Sequence, residues 1–118
     1  MNTTKVGQEA EAAVADKLAA AGYQIIARNA RSRFYEIDII ALRNQRVHFV
    51  EVKYRQTSYA GDGIAAITPA RLAKLSRAAE AWVGENSQYH DFDLSLDVAS
   101  VSGQLGDYKI DYLANVTA

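Results

Sequence analysis

The chain has 118 residues, of which 49% are hydrophobic and 23% charged, with a formal net charge of −1. That length and balance predict one domain spanning 1–118, with a core of useful size and no tendency to disorder. The absence of cysteine excludes disulfides, zinc–thiolate centres and cysteine nucleophiles. No apolar run approaches the roughly 18 residues of a membrane span, and the N-terminus lacks the apolar core of a signal peptide. The expectation is therefore a soluble, cytoplasmic protein with no membrane partner.

The near-neutral total hides a segregation. Residues 1–27 hold two basic and three acidic groups, 28–55 hold seven and three, and 56–118 hold four and eight, for nets of −1, +4 and −4. Phosphate attraction follows local basic clusters rather than whole-chain charge, so the middle segment is a candidate nucleic-acid surface. A surface of mixed, solvated charges is the alternative.

Residues 5–21 carry Val6, Ala10, Ala13, Val14, Leu18 and Ala21 at three- and four-residue steps, which predicts an amphipathic helix stopped by Gly22. Glu11 flanks that stripe, whereas Glu9 lies farther round, near Asp16, on the solvated side. Tyr23 to Ala27 reads as a short strand. Asn29 to Arg33 reads as a polar link whose arginines could clamp phosphates. Residues 34–54 form two β-branched and aromatic runs around Arg43-Asn44-Gln45-Arg46, the signature of a β-hairpin. Residues 56–67 contain two glycines and suit a flap over whatever the hairpin carries, or a plain connection. Thr68-Pro69 opens a second helix with a cap and an N1 proline. Its buried stripe is Leu72, Leu75, Ala79, Trp82 and Val83, and Arg71, Lys74 and Arg77 form a basic ridge. Residues 92–101 alternate as a half-buried strand, 102–107 turn, and Tyr108 to Leu113 closes the sheet at an edge. The order α-β-β-β-α-β-β predicts an α/β sandwich: a mixed sheet with a helix on each side.

The hairpin holds the chemistry. A two-residue turn at Asn44-Gln45, or a four-residue loop closed by Leu42 and Val47, gives one register. In it Asp38 faces Glu51 and Glu36 faces Lys53, with Cβ atoms roughly 4.5–5.5 Å apart. Facing carboxylates repel unless a cation sits between them, and hard Mg²⁺ takes such oxygens as ligands. The alternative is a solvated face neutralised by Lys53 and nearby arginines. His48 and His90 follow no ligand spacing, and His48 lies on the opposite strand face from Glu51. No phosphate-binding glycine loop or serine nucleophile elbow is present.

Asp38, twelve residues and then Glu51-Val52-Lys53 resembles the Pro-Asp…(Asp/Glu)-x-Lys motif of a metal-dependent nuclease superfamily, with Ile37 at the variable proline. Gly7, Glu11, Asn29-Ala30-Arg31, Glu36-Ile37-Asp38-Ile39-Ile40-Ala41 and Phe49-Val50-Glu51-Val52-Lys53-Tyr54-Arg55 together resemble the YraN-like family of small bacterial proteins. That family is grouped with Holliday-junction-resolvase-like nucleases. The sequence departs from the family pattern at Ala10 and Tyr35, where glycine is usual, at Arg71, where lysine is frequent, and at Leu96, where phenylalanine is usual. The resemblance implies a restriction-endonuclease-like α/β/α sandwich with a mixed central β-sheet. It implies Mg²⁺ or Mn²⁺ held by Asp38 and Glu51, with Glu11 from the first helix assisting, often through water.

On this reading Lys53 orients the attacking water or stabilises developing phosphate charge, and Glu36 supports Lys53 through a cross-strand ion pair. Arg31, Arg33, Arg55, Arg71 and Lys74 are the candidate DNA contacts, while Tyr54 and Tyr59 are candidates for stacking on bases. Branched or structured DNA is the substrate implied by resemblance. Two alternatives stay open. One is a non-catalytic DNA- or junction-binding module. The other is a subunit whose cleft needs a homodimer or a larger DNA-processing assembly, because two-stranded substrates suit two-fold symmetry.

Overall fold

The computed structural model describes residues 5–55, 68–104 and 106–116, without the Val6 side chain. The elements are α1 (Lys5–Ala20), β1 (Gln24–Arg31), β2 (Glu36–Arg43), β3 (Arg46–Arg55), α2 (Pro69–Glu85), a 3₁₀ turn (Ser87–Tyr89), β4 (Asp93–Ser102) and β5 (Lys109–Leu113). They follow the expected order. The segment 56–67 expected as a flap, Tyr59 included, lies outside the described residues. Among those residues no helix is long and apolar enough to cross a membrane.

The predicted stops and starts are local chemistry. At the end of α1, Tyr23 N–H reaches back to Leu18 O (3.0 Å) and Gly22 N–H to Ala19 O (3.1 Å). The two bonds require the left-handed φ of +95° that Gly22 adopts. At the start of α2, Thr68 Oγ1 accepts from Arg71 N–H at 3.2 Å, with Pro69 in the first turn. The β2–β3 turn takes two residues, Asn44 and Gln45, both with positive φ, as a type I′ hairpin demands.

The five strands lie in the order β1-β2-β3-β4-β5. All neighbours are antiparallel except β3 and β4, which run parallel from Arg46–Asp93 to Arg55–Ser102. Parallel neighbours need a crossover, and α2 lies in it, between β3 and β4. On one sheet face Ala10, Val14, Ala15 and Leu18 of α1 pack with Ile39, Ala41, Val50, Ala99 and Val101. On the other, Leu75, Ala78, Ala79 and Trp82 of α2 pack with Ile37, Ile40, Val47 and Phe49. The Phe49 and Trp82 rings meet edge to face at 5.8 Å. The architecture is an α/β/α sandwich with a mixed central sheet.

Three local expectations change. The first strand does not stop at Ala27. It continues to Arg31, paired through Ala30–Ile37 and Arg31–Glu36, so most of the expected link is strand. The β2–β3 register is as predicted from Arg43–Arg46 to Ile39–Val50 and ends there, before Asp38–Glu51. Finally, β4 is not half-buried. Ser95 and the whole run Asp97 to Ser102 are buried, because a central strand flanked by helices has no wet face.

This burial encloses Asp97 completely. Its carboxylate accepts from Ser95 Oγ (2.6 Å), the Asn115 N–H (3.0 Å) and the Tyr112 hydroxyl, and lies 2.7 Å from His48 Nδ1. Burial alone would raise its pKa, but the bonds from His48, Ser95, Tyr112 and the Asn115 backbone outweigh it and hold Asp97 below the usual carboxylate range. Tyr23 packs edge-on to His48 at 5.0 Å, and the Arg43 guanidinium lies over Tyr23 at 5.1 Å. The network thus ties β5 and the following residues to the middle of the sheet. Asp97→Ala strands several buried donors and is expected to cost about 3 kcal/mol or more in urea unfolding. Because the folded pKa is depressed, Asp97 stabilises above its unfolded pKa and ceases to do so as pH falls through the folded value. The wild type therefore loses this contribution in the acid range, and the gap between wild type and Asp97→Asn narrows there.

Candidate active site

The predicted acids come from three elements, with Asp38 close enough to feel the charge of Glu11 on one side and of Glu51 on the other. Glu11 projects from the sheet-facing side of α1 and is only 6% exposed. Its Oε1 has no hydrogen-bond partner among the described residues. Burial first, and the Asp38 charge second, push its pKa up to about 7, against the opposing pull of the Asn29 side chain, Arg28 and Arg31. A buried carboxylate with an unmade bond costs stability.

Asp38 is partly buried on β2. Its Oδ2 accepts the Val52 N–H at 2.7 Å, in the gap left where the ladder stops. Burial raises its pKa to about 6; the Val52 bond opposes this, and the charges of Glu51 and Glu36 add to it. Asn29 takes a left-handed φ of 52° between the pairs Arg28–Ile39 and Ala30–Ile37, which places it across from Asp38. Strict alternation fails along β2 here: Ile37 and Ile40 both pack on the α2 side. A face assignment from spacing therefore carries less far along β2 than along β3.

Glu51 and Lys53 share one face of β3, as predicted, but their partners differ from expectation. Glu51 Oε2 meets Arg71 Nε of α2 at 3.2 Å. Lys53 is partly buried, and its pKa is lowered, first by burial and next by Arg71, with Glu51 and Asp38 opposing. Glu36 does not pair with Lys53. It meets Arg31 of β1, Nε to Oε2 at 3.4 Å, because β1 extends far enough to place Arg31 opposite Glu36. Lys53 thus answers to Glu51 and Asp38 rather than to Glu36.

The predicted phosphate contacts divide. Arg71 is drawn into the acidic group. Arg31, Arg33 and Lys74 line an adjoining cleft, and Arg55 is exposed at the end of β3. Among the described residues no three His, Cys, Asp or Glu side chains stand close enough together to hold a metal ion as arranged. Glu51 is held by Arg71 of α2, and one oxygen of Asp38 by the Val52 N–H. The donor chemistry nevertheless suits a hard divalent cation. It offers carboxylate oxygens only, one of them buried and partnerless, with two groups destabilised partly by like charge.

Sequence reasoning missed two participants. Asn29, part of the Asn29-Ala30-Arg31 stretch of the family resemblance and given no role there, sits inside a strand with a left-handed backbone beside Glu11. The Arg71–Glu51 pair joins residues twenty apart on different elements, which no local spacing announces.

Acids and a partly buried lysine at the parting of two strands, in an α/β/α sandwich, define the class of site. The chain belongs to the UPF0102 (YraN-like) family of uncharacterised bacterial proteins: the model of "Uncharacterised protein family UPF0102" matches residues 10–101, which include Glu11, Asp38, Glu51 and Lys53. A UPF0102 protein of Fusobacterium nucleatum is 34% identical over 116 residues, covering 98% of this chain and 93% of its own. One from Chlorobium chlorochromatii is 40% identical over 101 residues, covering 86% and 77%. One from Magnetococcus marinus is 45% identical over 76 residues, covering 64% and 61%.

The Glu11 burden is measurable without any substrate. Its pKa is raised in the folded state, so that state holds the proton more tightly and stability falls as pH rises between about 4.5 and about 7. Glu11→Gln is expected to raise the melting temperature by about 3 °C or more at pH 8. The same change has little effect at pH 4, where both forms are neutral. Thermal melts across that range check it, and a variant equally stable or less stable at pH 8 contradicts the assignment.

Proposed function

We propose that the protein is a Mg²⁺- or Mn²⁺-dependent DNA endonuclease that hydrolyses phosphodiester bonds in branched or structured DNA. The observation that carries this reading is the buried, partnerless Glu11 oxygen beside Asp38, with both carboxyls pushed up in pKa. Perturbed acids held at a cost in stability are the mark of a functional site. Asp38 and Glu51, with Glu11, would hold the cation. Such a cation, when bound, lowers the pKa of a coordinated water and neutralises charge on the phosphate.

The chain's own residues do the rest. Lys53, partly buried beside Glu51, would place its ammonium group where charge builds on the phosphate oxygens. Arg71 spans both requirements. In the absence of substrate it neutralises Glu51, and a DNA phosphate competes for the same guanidinium. Substrate binding then frees Glu51 for its other role. A cytoplasmic location goes with this reading.

The Arg71–Glu51 pair also favours a second reading, a DNA- or junction-binding module without turnover, alone or within a dimer or larger assembly, since an acid held by arginine needs no metal. Cleavage of labelled four-way junction, flap, single-stranded and duplex DNA with Mg²⁺, Mn²⁺ or EDTA separates the two. Metal-dependent cutting is expected, reduced about 100-fold or more by Lys53→Ala. Asp38→Ala should abolish it while leaving DNA affinity intact or raised. Salt-sensitive binding with no metal-dependent product in the wild type selects the module instead.

A further inference from the structure

The turn between β1 and β2 is built to display an aromatic ring. Ser32 N–H donates to Tyr35 O at 3.0 Å, and Phe34 N–H donates to Ser32 Oγ at 3.0 Å. The Tyr35 hydroxyl donates to Glu85 of α2, also at 3.0 Å, pinning the turn to the helix. On this braced turn Phe34 is 67% exposed, more than any other large hydrophobic side chain among the described residues. The ring belongs to neither core cluster and is held on a turn fixed by the Ser32 and Tyr35 bonds.

The surroundings say what would cover it. The Arg33 guanidinium lies over the ring, 5.6 Å from its centroid. Beside them opens a cleft of about 340 Å³, lined by the turn together with Arg31, Glu36 and Lys74. Glu36 is engaged with Arg31. Arg33 and Lys74 make no ion pair with a carboxylate among the described residues, so the cleft has surplus positive charge around an aromatic face. The volume falls at the small end of ligand clefts, roughly 300–1,000 Å³. The cleft also adjoins the acidic group: Glu36 is two residues from Asp38, and Lys74 is one helical turn from Arg71.

An aromatic platform flanked by unpaired cations is the chemistry that receives an unpaired base and its phosphate, because every base has a π-face and a paired, stacked one is inaccessible. We propose that this cleft is a subsite for a single unpaired nucleotide, with the base stacked on Phe34 and the phosphate between Arg33 and Lys74. The inference rests on the nuclease reading for its DNA and deepens it: the substrate presents a single-stranded segment next to the cleavage point, as a flap or an open junction does.

The test is binding in EDTA, where nothing is cut, followed by fluorescence anisotropy of end-labelled single-stranded DNA, single-stranded RNA and duplex DNA of one sequence. Phe34→Ala is expected to weaken single-strand binding about tenfold, a typical loss of one stacking partner, and to leave duplex binding unchanged within about twofold. Phe34→Trp restores single-strand affinity. Lys74→Gln weakens every ligand and lowers the salt dependence by about one phosphate contact. A Phe34 effect on DNA, RNA or both supports the subsite, and the relative size of the two effects identifies the nucleic acid.

Equal weakening of duplex and single strand, no effect of Phe34→Ala, or no single-strand binding by the wild type overturns it. That last outcome would leave Phe34 as a contact for a protein partner. A protein that cuts DNA with metal yet ignores Phe34 loses only the subsite. One that shows the Phe34 effect and never cuts loses only the nuclease.

Discussion

The parallel pairing of β3 with β4 constrains everything else in this molecule. Ten successive pairs, from Arg46–Asp93 to Arg55–Ser102, put the two strands at the centre of the sheet. Parallel strands cannot be joined by a tight turn, so α2 lies in the connection between them and covers one face. The other face must then be covered as well, and α1 does so with Ala10, Val14, Ala15 and Leu18. Two consequences reach the site. Arg71, near the start of α2, is delivered to Glu51. Polar residues of β4 are sealed inside, where Asp97 survives as an ion only because His48, Ser95, Tyr112 and Asn115 satisfy it.

The sheet therefore contains two buried acids with opposite fates. Asp97 is fully enclosed, accepts four contacts and has a depressed pKa. Glu11 is nearly enclosed, keeps an unpaired oxygen and has a raised one. Burial is similar, so the difference is in hydrogen bonding and neighbouring charge. The first arrangement stabilises the fold. The second works against it and lies in the acidic group that also includes Asp38. The ending of the β2–β3 ladder at Ile39–Val50 opens that place: Asp38 then bonds Val52 N–H with its side chain.

Charge is arranged with the same economy. The basic middle segment does not form one patch. Arg31 balances Glu36, Arg46 lies near Asp93 at 3.8 Å, and Arg71 balances Glu51. Arg33 of that segment and Lys74 of α2 make no ion pair with a carboxylate among the described residues, and both line the cleft beside Phe34. A whole-chain charge of −1 is thus compatible with a small, directed cationic cleft.

Sequence alone determined the features whose causes are local. Gly22 could be read as a helix stop because a left-handed cap needs no distant partner. Thr68-Pro69 could be read as a start, and the two-residue turn at Asn44-Gln45 placed Ile39 opposite Val50, for the same reason. The element order, and with it the helix on each sheet face, followed from periodicities of two and of three to four. The grouping of Glu11, Asp38, Glu51 and Lys53 was legible as residues on definite elements. Their partners were not. Whether Glu36 meets Lys53 or Arg31 depends on how far β1 continues. Whether Asp38 faces Glu51 depends on where a ladder ends, and Asp97 is buried only because β4 is central. Those outcomes are set by competition among strands and helices far apart in the chain, so only the assembled tertiary structure decides them.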